Sequence, residues 1–263
     1  MDKPHSDIIQ GLVLTKNEEP NLRRVLDKLT WLQVVILDSF STDETLDIAA
    51  SYPNVTVYQR DFDTHGNQWN YGLDLLHSQW VLSLDADYVL TDEFISETNL
   101  YIGQTDVVAY NAAFKFLVFG EPLLNDNTVP RPVLFQRSNC RYFDDGHTQR
   151  LSIDGRQEKY KSKILHDDRK SFSRWLNNQD NYAVKEATKL VSEPVATMPL
   201  SAKIRKTKVL APLIVFFYSL FGKGLIFNGW RGWHYTLQRT MVEMILAIRL
   251  IEEEKLKNNS NLK

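Results

Sequence analysis

The sequence predicts an α/β fold, with a mostly parallel central sheet flanked by helices and a C-terminal helical extension. Three observations predict it. Short, continuously apolar runs alternate with helix-patterned segments through the first 90 residues, as strands buried on both faces and joined by crossover helices do. Polar residues stand at the carboxyl ends of several of those runs. The last third changes to long apolar and amphipathic helical patterns.

Taken in order, residues 8–15 (IIQGLVLT) are the first predicted strand. Residues 18–29 are a helix with Leu22, Val25, Leu26 and Leu29 on one face. Residues 33–37 (QVVIL) are a short buried strand closed by Asp38. A helix spans 42–50, capped near Ser41 or Thr42. Residues 54–58 are the third strand, 66–76 the third helix and 79–84 (QWVLSL) the fourth strand, closed by Asp85-Ala86-Asp87. From 104 to 165, β-like runs at 107–109, 113–119, 133–135 and 158–164 are punctuated by Gly120, Pro122, Pro130, Pro132 and Gly146. This predicts a mixed or antiparallel extension. A helix covers 172–191. The expected division is a catalytic domain at 1–195 and a helical tail at 196–263.

Composition narrows the function classes. The 263 residues are 43% apolar and 24% charged, which excludes a disordered chain. The single Cys140 excludes an intramolecular disulfide framework and a cysteine-rich zinc site. The opening MDKPHSDIIQG lacks the apolar core of a secretory leader, so a cytoplasmic location is expected. The net charge of −2 conceals −12 over residues 1–155 and +10 over 156–263. The acidic part suits a metal cation. The basic part suits an anionic surface such as lipid headgroups or nucleic acid.

In an open parallel sheet, ligands bind beyond the carboxyl ends of the strands. Thr15, Asn17 and Glu18 follow the first strand, Asp38 the second, and Asp85 with Asp87 the fourth. Asp38 and the turn after it also fit plain turn chemistry, in which Ser, Thr and Asp bond nearby backbone. On a continuing strand, Asp85 and Asp87 share a face and converge; a turn at Ala86 makes them diverge. Converging, one carboxylate can hold Mg²⁺ or Mn²⁺ and the other a substrate hydroxyl or metal-bound water.

The segments LTKNEE (14–19), DSFSTDET (38–45), NQWNYGL (67–73) and SLDADY (83–88) resemble, in order and spacing, the family 2 inverting glycosyltransferases, which have the GT-A nucleotide-sugar-binding fold. FDDGHTQRL (143–151), LHDDR (165–169) and SRWLNNQDNYAVKEA (173–187) extend the resemblance to the lipopolysaccharide-core β-1,4-glucosyltransferase-like subgroup. It covers roughly residues 8–190. The resemblance implies metal-dependent transfer, with inversion, from a nucleotide-sugar donor to the hydroxyl of a glycan or glycolipid acceptor in cell-envelope synthesis. A UDP-sugar is the favoured donor and Mg²⁺ or Mn²⁺ the cofactor. It further implies that Thr15, Asn17 and Glu18 border the nucleotide, that Asp38 contacts its base or ribose, and that Asn70 and Asp85 lie at the nucleotide sugar. Asp87 is implied as the main metal ligand. His166 is either a third ligand or a structural histidine.

Two departures bear on that transfer of roles. Phe40 stands where many relatives have Gly in D-S-G-S-T-D, and Gly146-His147-Thr148-Gln149 lacks the Glu of the subgroup's Val-His-Glu. An inverting transfer needs a base at the acceptor hydroxyl. Asp145 is the first candidate, with Asp144 and His147 behind it. Asp-Asp-Gly reads as a functional loop or a plain solvated turn. Gln149 and Arg150 fit either acceptor binding or the surface.

The tail opens with the basic cluster 203–208, then the 13-residue apolar run 209–221 (VLAPLIVFFYSLF), shorter than the roughly 20 residues a spanning helix needs. Trp230, Trp233, Leu237, Met241, Met244, Ile248 and Ile251 then follow helical spacing. This predicts an interfacial anchor and a peripheral place on the inner face of the cell membrane. The alternative is packing on the catalytic part or in a dimer, and the oligomeric state stays open. No nucleic-acid partner is expected. A sugar-1-phosphate nucleotidyltransferase-like enzyme would show a Gly-rich segment near the first strand, where 9–19 hold only Gly11. A non-catalytic lipid- or nucleic-acid-binding protein would leave the strand-end carboxylates without a role.

Overall fold

The computed structural model describes residues 8–104, 106–124, 128–145 and 148–260. The chain forms two compact units, Met1–Pro122 with Asp126–Lys170, and Leu123–Asn125 with Ser171–Lys263.

The first unit begins with the alternating run β1 (Ile9–Thr15), α1 (Glu19–Leu26), β2 (Gln33–Asp38), α2 (Thr45–Ala50), β3 (Val55–Gln59), α3 (His65–Asp74) and β4 (Trp80–Asp85). It continues through β5 (Tyr88–Val89), α4 (Asp92–Tyr101), β6 (Ala109–Val118), β7 (Glu121–Pro122), β8 (Arg131–Gln136), β9 (Cys140–Asp145), β10 (Thr148–Ile153) and β11 (Gln157–His166). Among the described residues the main sheet runs β3-β2-β1-β4-β8-β6-β11-β5, with β7 on β6, and β9 and β10 form a separate hairpin. The pairs among β3, β2, β1 and β4 are parallel, as is β6 with β11; β8 and β5 pair antiparallel to their neighbours.

Burial on both faces explains the apolar runs. Ile9, Leu12, Val13, Val81, Leu82 and Leu84 are fully buried. One face of the sheet, with Tyr110 of β6, packs against Leu22, Leu26 and Phe94; the other, with Phe135 of β8, packs against Trp69 and Leu73. The register sets the strand ends level: Thr15 is opposite Asp38 across β1 and β2, and Leu14 is opposite Asp85 across β1 and β4.

Several elements differ from expectation. The runs 107–109 and 113–119 are joined in one long strand, β6, which starts at Ala109 and ends at Val118. The helix α2 starts at Thr45 rather than 42, and its N-cap residue Glu44 makes no side-chain cap; Ser41 is engaged with Asp38 and Asn17, and Asp43 accepts from the Thr45 N–H at 3.1 Å. The helix α4 is an addition to the predicted elements. Its cap, Thr91, accepts from the Phe94 N–H, and Asp92 and Glu93 sit in the first turn. The β11 ladder on β6 is interrupted: Lys159 pairs with Asn111 and Lys163 with Ala113. Glu97 of α4 receives this bulge, accepting from the Lys161 N–H at 2.7 Å, the Ser162 N–H at 2.9 Å and the Ser162 hydroxyl at 2.6 Å.

The second unit contains α5 (Phe172–Ser192), α6 (Leu200–Lys206), α7 (Leu210–Phe217), a π-helical turn at Tyr218–Gly222, a 3₁₀ turn at Leu225–Asn228 and α8 (Trp230–Ser260). The small residues Ala183 and Ala187, with Leu190, bring α5 close to Leu246 and Leu250 of α8. Arg249 pairs with Asp180 at 2.6 Å. Arg205 pairs with the buried Glu243 at 3.1 Å and with Glu186 at 3.2 Å. These contacts group α5 with the tail helices, so the units divide after Lys170 rather than between 195 and 196. No helix among the described residues is long and apolar enough to cross a membrane.

Candidate active site

The two loops after β1 and β2 are cross-linked. Asp38 is fully buried. Its carboxylate accepts from the Thr15 hydroxyl at 2.8 Å, the Ser41 N–H at 2.8 Å, the Ser41 hydroxyl at 2.5 Å and the Gln59 amide at 3.3 Å. Asn17 has a positive φ of 55°. Its N–H donates to Ser41 Oγ at 2.6 Å, and its side-chain carbonyl accepts from the Thr42 N–H at 2.7 Å. The Glu18 N–H donates to Thr45 Oγ1 at 2.6 Å. Thus Thr15, Asn17 and Asp38 lie together at the predicted edge, and each uses polar groups to hold the loops. For Asp38 this is the turn-chemistry alternative. Phe40 has the left-handed backbone that favours glycine: its φ is +60°, and Lys16 donates to its carbonyl at 2.6 Å and to that of Ser39 at 2.8 Å.

Asp87 and His166 meet because β5 starts one residue after Asp87 and pairs with the end of β11. Tyr88 lies opposite His166, and Val89 opposite Leu165. The Asp167 N–H donates to the Asp87 carbonyl at 3.1 Å. His166 Nε2 is then 3.3 Å from Asp87 Oδ2. Asp87 Oδ1 is buried and has no hydrogen-bond partner. Burial alone would push the Asp87 carboxyl up, but the charge and hydrogen bond of His166, with Lys170, outweigh it and hold it at about 2. Burial and the Asp87 charge raise Asp85, whose side chain accepts from Tyr88. Burial pushes Glu18 up to about 6, against the pull of Lys170 and Asn21.

Sequence reasoning missed the second half of this cluster. Lys170 Nζ lies 3.0 Å from Glu18 Oε2, 3.2 Å from Asp168 Oδ1 and 3.8 Å from Asp87 Oδ2. The buried Asn21 donates to both Glu18 Oε2 and Asp168 Oδ1 at 3.0 Å, and accepts from the Arg169 N–H at 2.9 Å. Asp167 is buried and paired with Arg24 and Arg169. The signal was available: the charged run 166–170 directly follows an apolar strand end, and only His166 is singled out from it. No group of three or more His, Cys, Asp or Glu side chains among the described residues is gathered tightly enough to hold a metal by itself. The bare, buried Oδ1 of Asp87, on the carboxylate whose Oδ2 faces His166, does fit a cation whose other ligands would come from substrate and water.

The remaining predicted residues belong to the β9–β10 hairpin or its support on α3. Asn70 is a clamp: its amide donates to the Tyr142 carbonyl and its carbonyl accepts from the Tyr142 N–H, both at 2.9 Å. Asp144 Oδ1 accepts from the Gly66 N–H in the first turn of α3 at 2.8 Å. A Cβ at Gly66 would lie 3.1 Å from that oxygen, so the close approach favours glycine. Asp145 ends β9 and pairs with Arg150 at 2.6 Å. Asp144 and Asp145, read from the sequence as part of a loop or turn with Gly146, are thus the last residues of strand β9. His147 lies outside the described residues.

Residues 12–162 match the family model described as Glycosyl transferase family 2. The chain belongs to this family. The family-2 chain is 29% identical over 99 residues to an uncharacterised glycosyltransferase of Rickettsia conorii, a match covering 37% of this chain and 35% of that protein. A second, from Rickettsia typhi, is 29% identical over 91 residues, covering 34% of this chain and 31% of that one. The chain thus spans about a third of the length of the curated relatives it matches. Its fold is that of a mannosyltransferase from Pyrobaculum calidifontis solved in complex with GDP-Man and Mn²⁺: TM-score 0.54 at 14% identity, over 95% of this chain and 88% of that one. The family-2 fold is therefore GT-A, with helices at its C-terminal end.

The Phe40 backbone yields a stability test. Phe40 is half exposed, so little burial is lost on its removal. Phe40→Gly relieves the cost of a positive φ, on the order of 1 kcal/mol, less the entropy of a new glycine. Thermal unfolding should show Phe40→Gly more stable than Phe40→Ala, which keeps the positive φ. Equal melting of the two would show that the turn carries no such strain.

Proposed function

We propose that this chain is a metal-dependent inverting glycosyltransferase, moving a sugar from a nucleotide-sugar donor to an acceptor hydroxyl in cell-envelope glycan or glycolipid synthesis. The observation that carries this reading is Asp87 at the carboxyl edge of the sheet, whose Oδ2 faces His166 while its Oδ1 is buried and unpartnered. Asp87 and His166 would hold Mg²⁺ or Mn²⁺, with the remaining ligands from the donor's phosphates and water. When bound, the metal neutralises charge on the departing diphosphate. Asp85, with its carboxyl raised, suits a hydrogen bond to a donor hydroxyl. Asp145 is the base in this reading, and its ion pair with Arg150 would orient it. It takes the acceptor hydroxyl's proton as that oxygen bonds to the anomeric carbon and the bond to the diphosphate breaks on the opposite face. Asp144, engaged with α3, supports the hairpin instead.

The donor screen begins with UDP-sugars and then GDP-mannose, the ligand of the Pyrobaculum enzyme. The motifs quoted above favour an acceptor of the lipopolysaccharide-core type. Asp87→Asn should abolish transfer and its response to Mn²⁺, because an amide is a far poorer ligand for a hard cation. Full turnover in EDTA, or in Asp87→Asn, overturns the metal reading. Asp145→Asn should lower kcat by about 10²–10⁴-fold while donor KM stays within about twofold. Wild-type turnover in Asp145→Asn, with loss in His147→Ala, transfers the base to His147.

The second unit supports a place at an anionic membrane surface. On α8, the stripe Trp230, Trp233, Leu237, Met244, Ile248 and Ile251 is exposed, while Thr236, Glu243, Leu246 and Leu250 are buried. Phe217, Phe221 and Phe227 are exposed as well, Phe227 at 82%. An apolar surface of this kind, with Trp at its edge, suits the headgroup boundary. Arg205 and Lys208 are held by Glu243, Glu186 and Glu254, so lipid phosphate falls to Lys203 and Lys206. The full chain should sediment with anionic liposomes and release in part at high salt. Phe217→Ser with Phe227→Ser should reduce sedimentation without changing the fold. Equal recovery in the supernatant with and without liposomes rules the anchor out. Point substitutions are the sound test, since truncation near Pro199 would strip Leu246 and Leu250 from α5.

A further inference from the structure

The cation already present at the carboxyl edge belongs to the protein. The Lys170 side chain is only 10% exposed, and its Nζ sits among Glu18, Asp168 and Asp87 at 3.0, 3.2 and 3.8 Å. Other charged groups bearing on this place are Asp85, His166, Arg24 with its neighbour Arg169 and, through Asp85, Arg131. On Asp87 the two oxygens differ: Oδ2 faces His166 and Lys170, while Oδ1 is buried and bare. A divalent ion on Asp87 would therefore stand within a few ångströms of an ammonium. Like charges at such range repel strongly where water is scarce. A diphosphate brings enough negative charge to accommodate both.

We propose that Lys170 is a positioning residue that fills the cation place in the donor-free chain, so that the divalent metal binds weakly alone and enters together with the nucleotide diphosphate. The proposal rests on the reading of Asp87 as the metal ligand. Lys170 neutralises Glu18 and Asp168 throughout. It gives up its share of Asp87 when the metal arrives, and its N–H groups turn to phosphate oxygen. Metal and nucleotide then raise each other's affinity by the same factor, as linkage requires.

Mn²⁺ binding, followed by the EPR signal of the free ion, tests this without any turnover. The donor-free wild-type chain should bind Mn²⁺ weakly. Lys170→Met should bind it roughly tenfold more tightly, through loss of the nearby positive charge, and Lys170→Arg should match wild type. Adding UDP or GDP should tighten Mn²⁺ binding by wild type much more than by Lys170→Met. The gain in Lys170→Met should vanish when Asp87→Asn is added. Circular dichroism melts report folding, and Lys170→Gln replaces the Met variant if that one unfolds. If Asp87→Asn abolishes Mn²⁺ binding while the neutral Lys170 variants bind as wild type does, the Lys170 proposal falls and the metal reading stands. If Asp87→Asn leaves Mn²⁺ binding unchanged in every background, the metal reading itself falls. A gain that survives Asp87→Asn places the ion on Glu18 and Asp168 and overturns the proposal.

Discussion

The antiparallel pairing of Tyr88 with His166 and of Val89 with Leu165 is a short contact with long consequences. It takes the chain immediately after Asp87 and fastens it to the end of a strand far along the sequence. The Asp87 carbonyl accepts from the Asp167 N–H, which extends the contact by one residue. Everything from His166 to Lys170 is then laid against α1, where Asn21 bonds to Glu18, Asp168 and the Arg169 backbone. Buried carboxylates here are tolerable because each is answered by an opposite charge or a donor at close range. The exception is one oxygen of Asp87.

The alternating half of the fold was legible because strands buried on both faces leave an unmistakable apolar run. The carboxyl edge was legible for the same reason: a charged residue that ends such a run has nowhere to go but the rim. Asp38 shows the limit of that logic. A strand-end aspartate with Thr15 and Ser41 in reach satisfies itself within the protein, and sequence spacing does not separate that outcome from ligand contact. Asn70 fails to be legible for another reason. Its partner is the backbone of Tyr142, and backbone groups leave no mark in the sequence. Lys170 was overlooked because a lysine in a charged run ordinarily means solvent, whereas here three carboxylates and the fold around them hold it almost out of water.

In the second unit, periodicity identified the helix but not which side of it faces inward. The larger stripe on α8 is the exposed one. The buried side carries Leu246 and Leu250 beside the polar Thr236 and Glu243, the last neutralised by Arg205. Small side chains on α5 permit close helix packing, so modest residues secure the unit while the large ones remain at its surface. Apolar moment alone would have assigned the faces the other way.

The interruption in β11 governs which side chain reaches Asp87. Between Lys159 and Lys163 the strand advances four residues while β6 advances two, from Asn111 to Ala113. The surplus is even, so the inward and outward alternation of side chains is preserved through it. Its effect is one of phase along the strand. His166 stands opposite Phe116; on an unbroken ladder from Lys159, Ile164 would stand there and the histidine would overshoot by two residues, about 7 Å. By taking up the surplus with its carboxylate, Glu97 acts as the fixed stop of a sliding scale. An acidic residue on a distant helix thereby decides whether the acidic edge is met by an imidazole or by a hydrocarbon.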